Sequence, residues 1–386
     1  MIRTMGPAKL SNFMAGDMGS RRAGQERTGA GTGIVIQYRV TRIPCSGLVL
    51  MPQIRLFAAL AIAASTLSAC GVQPQSWGEW NSIIVATSED EWNIIGEMVE
   101  TTLEARVLTV RAEKTFRVTH QVPVGLEWGR LRRFRQLLLI GTAEDPWMSE
   151  ALRLSGRDSF DPPEIFQVEE VWARDQLATV LLLSRTGGEE AAGLMEPLHE
   201  LLDGQYRTWV RARMYTTGRN TVLADSLWAR AQFTLMLPDL YRQKTEDSVF
   251  MFRNDNPDPT ELIRQITVTW RTSVQDDMSD EDILAWRQEV SDVHFSYPQV
   301  HDLDLAESRR LQIGDLVLDE IRAVWANPPE DLFPAGGPFI VRAIPCPEQG
   351  RHYLVDAWLY APSRDKYQYV LQLENILNTF TCSAPV

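Results

Sequence analysis

The chain has 386 residues, 38 Lys and Arg against 51 Asp and Glu, and a formal net charge of −13 at pH 7. So acidic a surface repels phosphate backbones and anionic headgroups, which argues against nucleic-acid binding and against membrane association by charge alone. No P-loop, Gly-x-Ser-x-Gly elbow, His-Glu-x-x-His or paired-cysteine zinc set occurs, so no cofactor and no metal site is expected.

Residues 1–50 scatter Arg21, Arg22, Arg27, Arg39 and Arg42 among glycines with no sustained apolar period. They read as an upstream leader that is not part of the translated product, with Met51 the better start. The glycines at 29, 31 and 33 resemble half a dinucleotide fingerprint but follow no strand and are discounted.

Residues 51–69 carry the clearest local signal. Arg55 precedes an apolar run over 56–67, which ends in Leu67, Ser68, Ala69 and Cys70. The run is too short to span a bilayer as a mature helix, and a single basic residue, a brief apolar stretch and small residues before a cysteine describe a lipoprotein signal. Cleavage would expose Cys70, whose thiol is the atom that takes the lipid. A buried helix would instead show polar positions at helical spacing, and a plain secretory signal cut after Ala69 would leave a free thiol at the new terminus. Gly71, in place of aspartate, suits sorting to the outer membrane. Removing the eight basic and two acidic residues before Cys70 leaves 30 against 49, a net charge of −19, so the acyl chains would do the anchoring.

Residues 70–80 read as a lipidated tether, 81–230 as a first lobe and 231–386 as a second. In the first lobe, 82–86 is a strand, and Ser88 with Glu91 forms a capping box for a helix whose Trp92, Ile95, Val99 and Thr102 share a face. A half-buried strand at 115–119 follows, then a basic helical turn at 130–136, a central strand at 137–140 and a short helix from Asp145-Pro146. Strands at 166–172 and 178–183 precede a long helix over 189–215, begun after Gly187-Gly188. The second lobe opens with strands at 232–237, 248–252 and 265–270. Ser279 caps a helix that buries Ile283, Trp286, Val290 and Val293. Strands at 317–324, 339–344 and 352–360 run antiparallel, and a last helix covers 363–380. The fold class is α+β, mixed and mostly antiparallel sheets with flanking helices, and both halves ending in strand, strand, helix hints at two similar lobes.

Several motifs have a familiar form. Phe252-Arg253-Asn254-Asp255-Asn256, Gly336-Gly337-Pro338-Phe339, and Asp356-Ala357-Trp358-Leu359-Tyr360-Ala361-Pro362 running into Asp365-Lys366 resemble the bacterial lipoprotein family called domain of unknown function 4837. In the first half, Val171-Trp172-Ala173-Arg174-Asp175-Gln176 is similar too. The resemblance covers roughly 80–380 and implies a signal-borne lipoprotein of the cell envelope, with no catalytic residue to carry over. Pro345-Cys346 is not expected across that family.

The same motifs have plain physical readings. Gly336-Gly337-Pro338 suits a tight turn into the next strand. Asn254, Asp255 and Asn256 gather side-chain oxygens as a calcium loop does, but lack its glycine and terminal glutamate, so an Asx turn is preferred. His294 and His301, with Asp302 and Asp304, read as a solvated acidic loop. With Cys70 lipidated, Cys346 and Cys382 remain in an oxidising compartment, either bridged or as two separate buried thiols.

The reading is a non-enzymatic binding or assembly component, held by its acyl chains at the outer membrane facing the periplasm, with an envelope protein or glycan as partner. The alternative is an envelope glycan or peptide hydrolase using two carboxylates as acid and base, which would leave no short motif. Tryptophans near element ends, Trp128, Trp147, Trp325 and Trp358, are the expected contact residues.

Overall fold

The computed structural model describes residues 73–272, 278–331 and 334–383, with the side chains of 302–305 left aside; they belong to one compact unit, Cys70–Val386. The upstream leader and the signal, with Leu67, Ser68, Ala69 and Cys70, lie outside the described residues. The architecture is α+β, with two large sheets that differ in kind.

The first lobe contains β1 (Ser82–Ala86), α1 (Glu89–Leu103), β2 (Arg106–Val107), β3 (Glu113–Lys114), β4 (Arg117–Gln121), α2 (Gly125–Leu131) and β5 (Gln136–Gly141). It continues with α3 (Ser149–Leu154), β6 (Glu164–Glu169), β7 (Leu177–Leu182) and α4 (Gly188–Met214). Its sheet runs β4-β1-β5-β7-β6, parallel except where β6 pairs antiparallel with β7. Every residue of β5 is buried, as expected of a strand with helices over both faces. One face packs on α1 and α4 and the other on α2 and α3.

The second lobe contains α5 (Thr221–Ala231), β8 (Arg242–Glu246), β9 (Val249–Asn254), β10 (Ile263–Arg271), α6 (Asp280–His294), β11 (Val300–Ile313), β12 (Leu316–Ala326), β13 (Gly336–Cys346), β14 (Arg351–Tyr360) and α7 (Tyr367–Leu377). Its seven strands run β11-β12-β13-β14-β10-β9-β8, all antiparallel. Helices α5 and α7 cover one face and α6 the other. The resemblance between lobes therefore does not extend to strand pairing. Helix α7 joins them, because Tyr367 and Leu371 enter the core of the first lobe while Leu373, Ile376 and Leu377 enter that of the second.

Several expected details change. Ser88 does cap α1, accepting the Glu91 N–H at 3.2 Å, but the Glu91 carboxylate turns away and accepts the Gly187 N–H at 2.9 Å. It thus caps α4, whose preceding Gly187 sits at φ 133°, a conformation suited to glycine. The helix expected at 130–136 lies earlier, as α2. Helix α5 and strands β8 and β11 were not foreseen, and the acidic segment around Asp302 and Asp304 is strand β11, not a loop. The run 232–237 is not a strand: Gln232 is a left-handed helix end at φ 62°, and Phe233, Leu235 and Leu237 drop separately into the core. On α6, Val293 is 74% exposed and Arg287 is fully buried.

The segment 73–80, read as a tether, is laid against the first lobe. Ser76 N donates to Arg174 O at 3.0 Å, and Trp77 packs edge-on against Phe134 at 4.7 Å. Gly78, at φ 98°, is required there, since a Cβ would stand 2.3 Å from the Phe134 ring. Cys346 and Cys382 form a disulfide across Cα atoms 6.4 Å apart. Closing a loop over a separation of 36 residues, it contributes about 4 kcal/mol at most in the chain-entropy picture.

Candidate binding cleft

Three segments that start strands of the parallel sheet end beside the joint between lobes. Trp80 and Asn81 lead into β1, Arg117 opens β4, and Arg135 precedes β5. The last turns of α4 bring Tyr206, Trp209 and Arg213, spaced by three and four residues and therefore on one face. The loop before α7 adds Arg364 and Asp365, and α7 adds Gln368 and Tyr369. Together these enclose a cleft of about 510 Å³.

Its wall is a stack of rings. Trp80 lies on Trp209 with centroids 5.4 Å apart, Trp209 on Tyr206 at 5.8 Å, and Tyr206 on Tyr367 at 5.6 Å. Burial, with the nearby Glu79 and Asp365 charges, pushes the Tyr206 hydroxyl well above its ordinary pKa, so it stays a neutral phenol. The Tyr367 hydroxyl donates to the Asp203 carboxylate, which ties α7 to α4 beside the cleft.

Over this wall lie guanidinium groups. Arg135 stands 5.6 Å from the Trp80 ring and Arg213 stands 5.4 Å from the Trp209 ring, both within cation–π range. Among the described residues neither has a carboxylate within ion-pair distance, and the buried Arg135 Nε has no hydrogen-bond partner. The other two arginines are occupied. Arg117 pairs with Asp365 and, at 3.8 Å, with Glu79; Arg364 pairs with Glu261 at 2.5 Å.

The residues singled out from sequence fall elsewhere. Trp358 and Tyr360 meet Trp325 and Tyr297 around a separate cavity of about 360 Å³, and the Arg253 guanidinium lies 5.5 Å from the Tyr297 ring and 3.5 Å from Asp255. Asn254 Oδ1 accepts from Asn256 N at 3.1 Å, the expected Asx turn. Gly336 and Gly337 form no turn: they are the first residues of β13, opposite Ala326 and Trp325. Glycine is needed because a Cβ on Gly337 would stand 1.7 Å from Leu359 O, the atom that accepts the Trp325 Nε1–H at 3.1 Å. Pro338 lies opposite Val324, just before pairing with β14 begins at Phe339. Of the tryptophans expected at the surface, Trp128, Trp325 and Trp358 are buried, and Trp147 is half-buried.

His294 and His301 do not meet. His294 faces Glu246 at 3.5 Å, whereas His301 Nε2 accepts from Arg287 at 2.6 Å. Burial, then Arg287, lowers the His301 pKa to about 4, so the ring is neutral with its proton on Nδ1.

A family model described as Domain of unknown function (DUF4837) matches residues 221–379, from the first residue of α5 to just beyond α7. No curated protein matches the chain. Among solved structures the chain is similar to cyanobacterial PsbP from Synechocystis sp. PCC 6803, at 11% identity over 39% of this chain and 86% of that one, with a TM-score of 0.27. It is also similar to the Saccharomyces cerevisiae Ran-binding protein Mog1p, at 13% identity over 39% of this chain and 90% of that one, with a TM-score of 0.28. The family match begins after the parallel sheet, so the cleft draws on both matched and unmatched residues.

Proposed function

We propose that the protein is a non-enzymatic binding component of the cell envelope, held through lipidated Cys70 at the outer membrane facing the periplasm, and that the cleft between its lobes is where its partner is engaged. The observation that carries the binding role is the pair of guanidiniums without carboxylates, Arg135 and Arg213, laid on the Trp80–Trp209 stack. The anchor rests on the layout from Arg55 to Cys70. The hydrolase reading has a pair to consider in Glu79 and Asp365, but an acid–base pair needs two carboxyls in contrasting surroundings. These two share one guanidinium, and their side chains are 70% and 45% exposed.

The test places a photocrosslinking residue at Gln368, inside the cleft, and at the exposed Val222 as control, in cells making the full chain. A discrete adduct at Gln368 alone is expected, from a protein found in the membrane fraction and released from it by Cys70→Ala. Equal labelling at both positions would remove the cleft from the proposal, and membrane retention of Cys70→Ala would remove the anchor. A loss of cellular role on Glu79→Gln or Asp365→Asn, with the adduct retained, would turn the reading to the hydrolase.

A further inference from the structure

We infer that the cleft is an oxyanion site and that the group it takes on the partner is a phosphate. This rests on the cleft being the binding site, and it names the chemistry of what binds. Residues 70–386 carry a net charge of −19, yet the cleft lining holds Arg117, Arg135, Arg213 and Arg364 against Glu79 and Asp365 alone. An isolated positive patch in a negative field is a focusing device for anions.

Arg117 and Arg364 are held by carboxylates, so the surplus resides in Arg135 and Arg213. Each guanidinium carbon lies within cation–π range of a tryptophan ring, 5.6 Å for Arg135 and 5.4 Å for Arg213, and the ring holds the charge without taking up its N–H donors. Both indoles are already crowded, Trp80 by Trp209 and Arg135, and Trp209 by Trp80, Tyr206 and Arg213. A sugar or peptide ring therefore has no free face to stack on, and the rings serve to hold the guanidiniums. The buried Arg135 Nε lacks an acceptor, and such a donor is costly to leave unmet.

Two separate planar forks present more donors than one carboxylate can accept, whereas a phosphate offers three oxygens and up to two charges. Ser363 and Gln368 line the same cleft and supply neutral donors.

The experiment uses the full chain carrying Cys70→Ala, so that no acyl anchor contributes. Calorimetric titration with pyrophosphate should give saturable binding that weakens as NaCl is raised. Arg213→Gln, at an exposed helix end, should weaken it by at least about tenfold, and Arg213→Lys by less, because lysine keeps the charge but loses the fork. Arg135→Gln should do the same where its unfolding temperature matches the parent's. A second arm uses vesicles of phosphatidylglycerol against phosphatidylcholine. Preference for the former, lost in Arg213→Gln, assigns the phosphate to a lipid headgroup; pyrophosphate binding with no vesicle preference assigns it to a soluble or glycan-borne group. Absence of binding to any probe, or equal binding by parent and Arg213→Gln, overturns the phosphate assignment. If the Gln368 crosslink survives that result, the binding reading stands and only the ligand class falls.

Discussion

Two pairs of arginines in this molecule do opposite things. In the second lobe the Arg287 guanidinium lies 3.8 Å from the centroid of Phe339 and is wholly buried. Its Nε donates to Asp356 at 2.8 Å, its Nη1 to His301 and its Nη2 to Gln299 at 2.7 Å. Arg342, 1% exposed, donates through Nε to Glu320 at 2.7 Å. In the cleft, Arg135 and Arg213 have the rings without the carboxylates. A buried cation with its counter-charge in place is part of the framework, whereas a ring-supported cation lining a cleft keeps its donors for something else. Removing a partner should therefore be costly in the first setting, and removing the arginine itself should be nearly free in the second.

The strongest test of that contrast is Asp356→Ala. Burial pushes the Asp356 carboxyl up, opposed by Arg287, which meets it at 2.8 Å out of reach of solvent. Deleting the carboxylate strands a buried guanidinium, for a loss of about 3–5 kcal/mol, read as a shift in the urea midpoint at unchanged slope. Asp356→Ala combined with Arg287→Met should lose less than the single change, since no unpaired charge remains. A single variant as stable as the parent would mean that water reaches Arg287, and the contrast with the cleft would collapse.

Glu320 sharpens the comparison through pH. It is fully buried and accepts from Arg309, Arg322 and Arg342, each at 2.7 Å. Burial alone would raise its pKa, but Arg322 and Arg342 outweigh that and hold it at about 2, below its ordinary 4.5. A depressed folded pKa means the unfolded chain takes the proton first. The stabilisation is present in full above about pH 4.5 and is lost as pH falls toward about 2. Its size is on the order of 2 to 3 kcal/mol, allowing for water at the exposed Arg309. Urea midpoints of parent and Glu320→Gln, followed from pH 6 to pH 3, should converge as the pH drops; parallel curves would show that Glu320 is not the titrating group.

How far such features could be read from sequence follows from where each element lies. Strands β1 and β5 and helix α4 declare themselves because each is buried in an unbroken or regularly spaced apolar pattern. Strands β8 and β11, at the two edges of the antiparallel sheet, do not: Arg242-Gln243-Lys244-Thr245-Glu246 is polar throughout, as edge strands commonly are, and the acidic residues of β11 look like a loop. The run 232–237 misleads in the other direction, with alternating apolar residues that fill the core without joining a ladder. In the cleft, only Tyr206, Trp209 and Arg213 share a readable helical spacing. Trp80, Arg117 and Arg135 are brought together by parallel pairing, Ser82 opposite Arg117 and Ile83 opposite Gln136, which no local pattern reveals. They also gather at the amino ends of those strands, whereas open parallel sheets usually bind ligands at the carboxyl ends.

The smallest expected effect is the most informative about the cleft. Arg213 is an exposed residue in the last turn of α4, where a cation gains from the helix dipole and from the Trp209 ring. Both contributions are screened by water, so Arg213→Gln should cost no more than about 0.5–1 kcal/mol of stability. Its urea midpoint at neutral pH should lie close to the parent's. That places the variant at the opposite end of the scale from Asp356→Ala, although each change removes one charged group. A loss above about 2 kcal/mol would instead show that Arg213 pins α4 onto Trp80 and the first lobe, and the guanidinium would join Arg287 as part of the framework. The expected near-neutrality is what separates a residue retained for a ligand from one retained for the fold: the guanidinium contributes little to the free chain, so its chemistry is left for what enters the cleft.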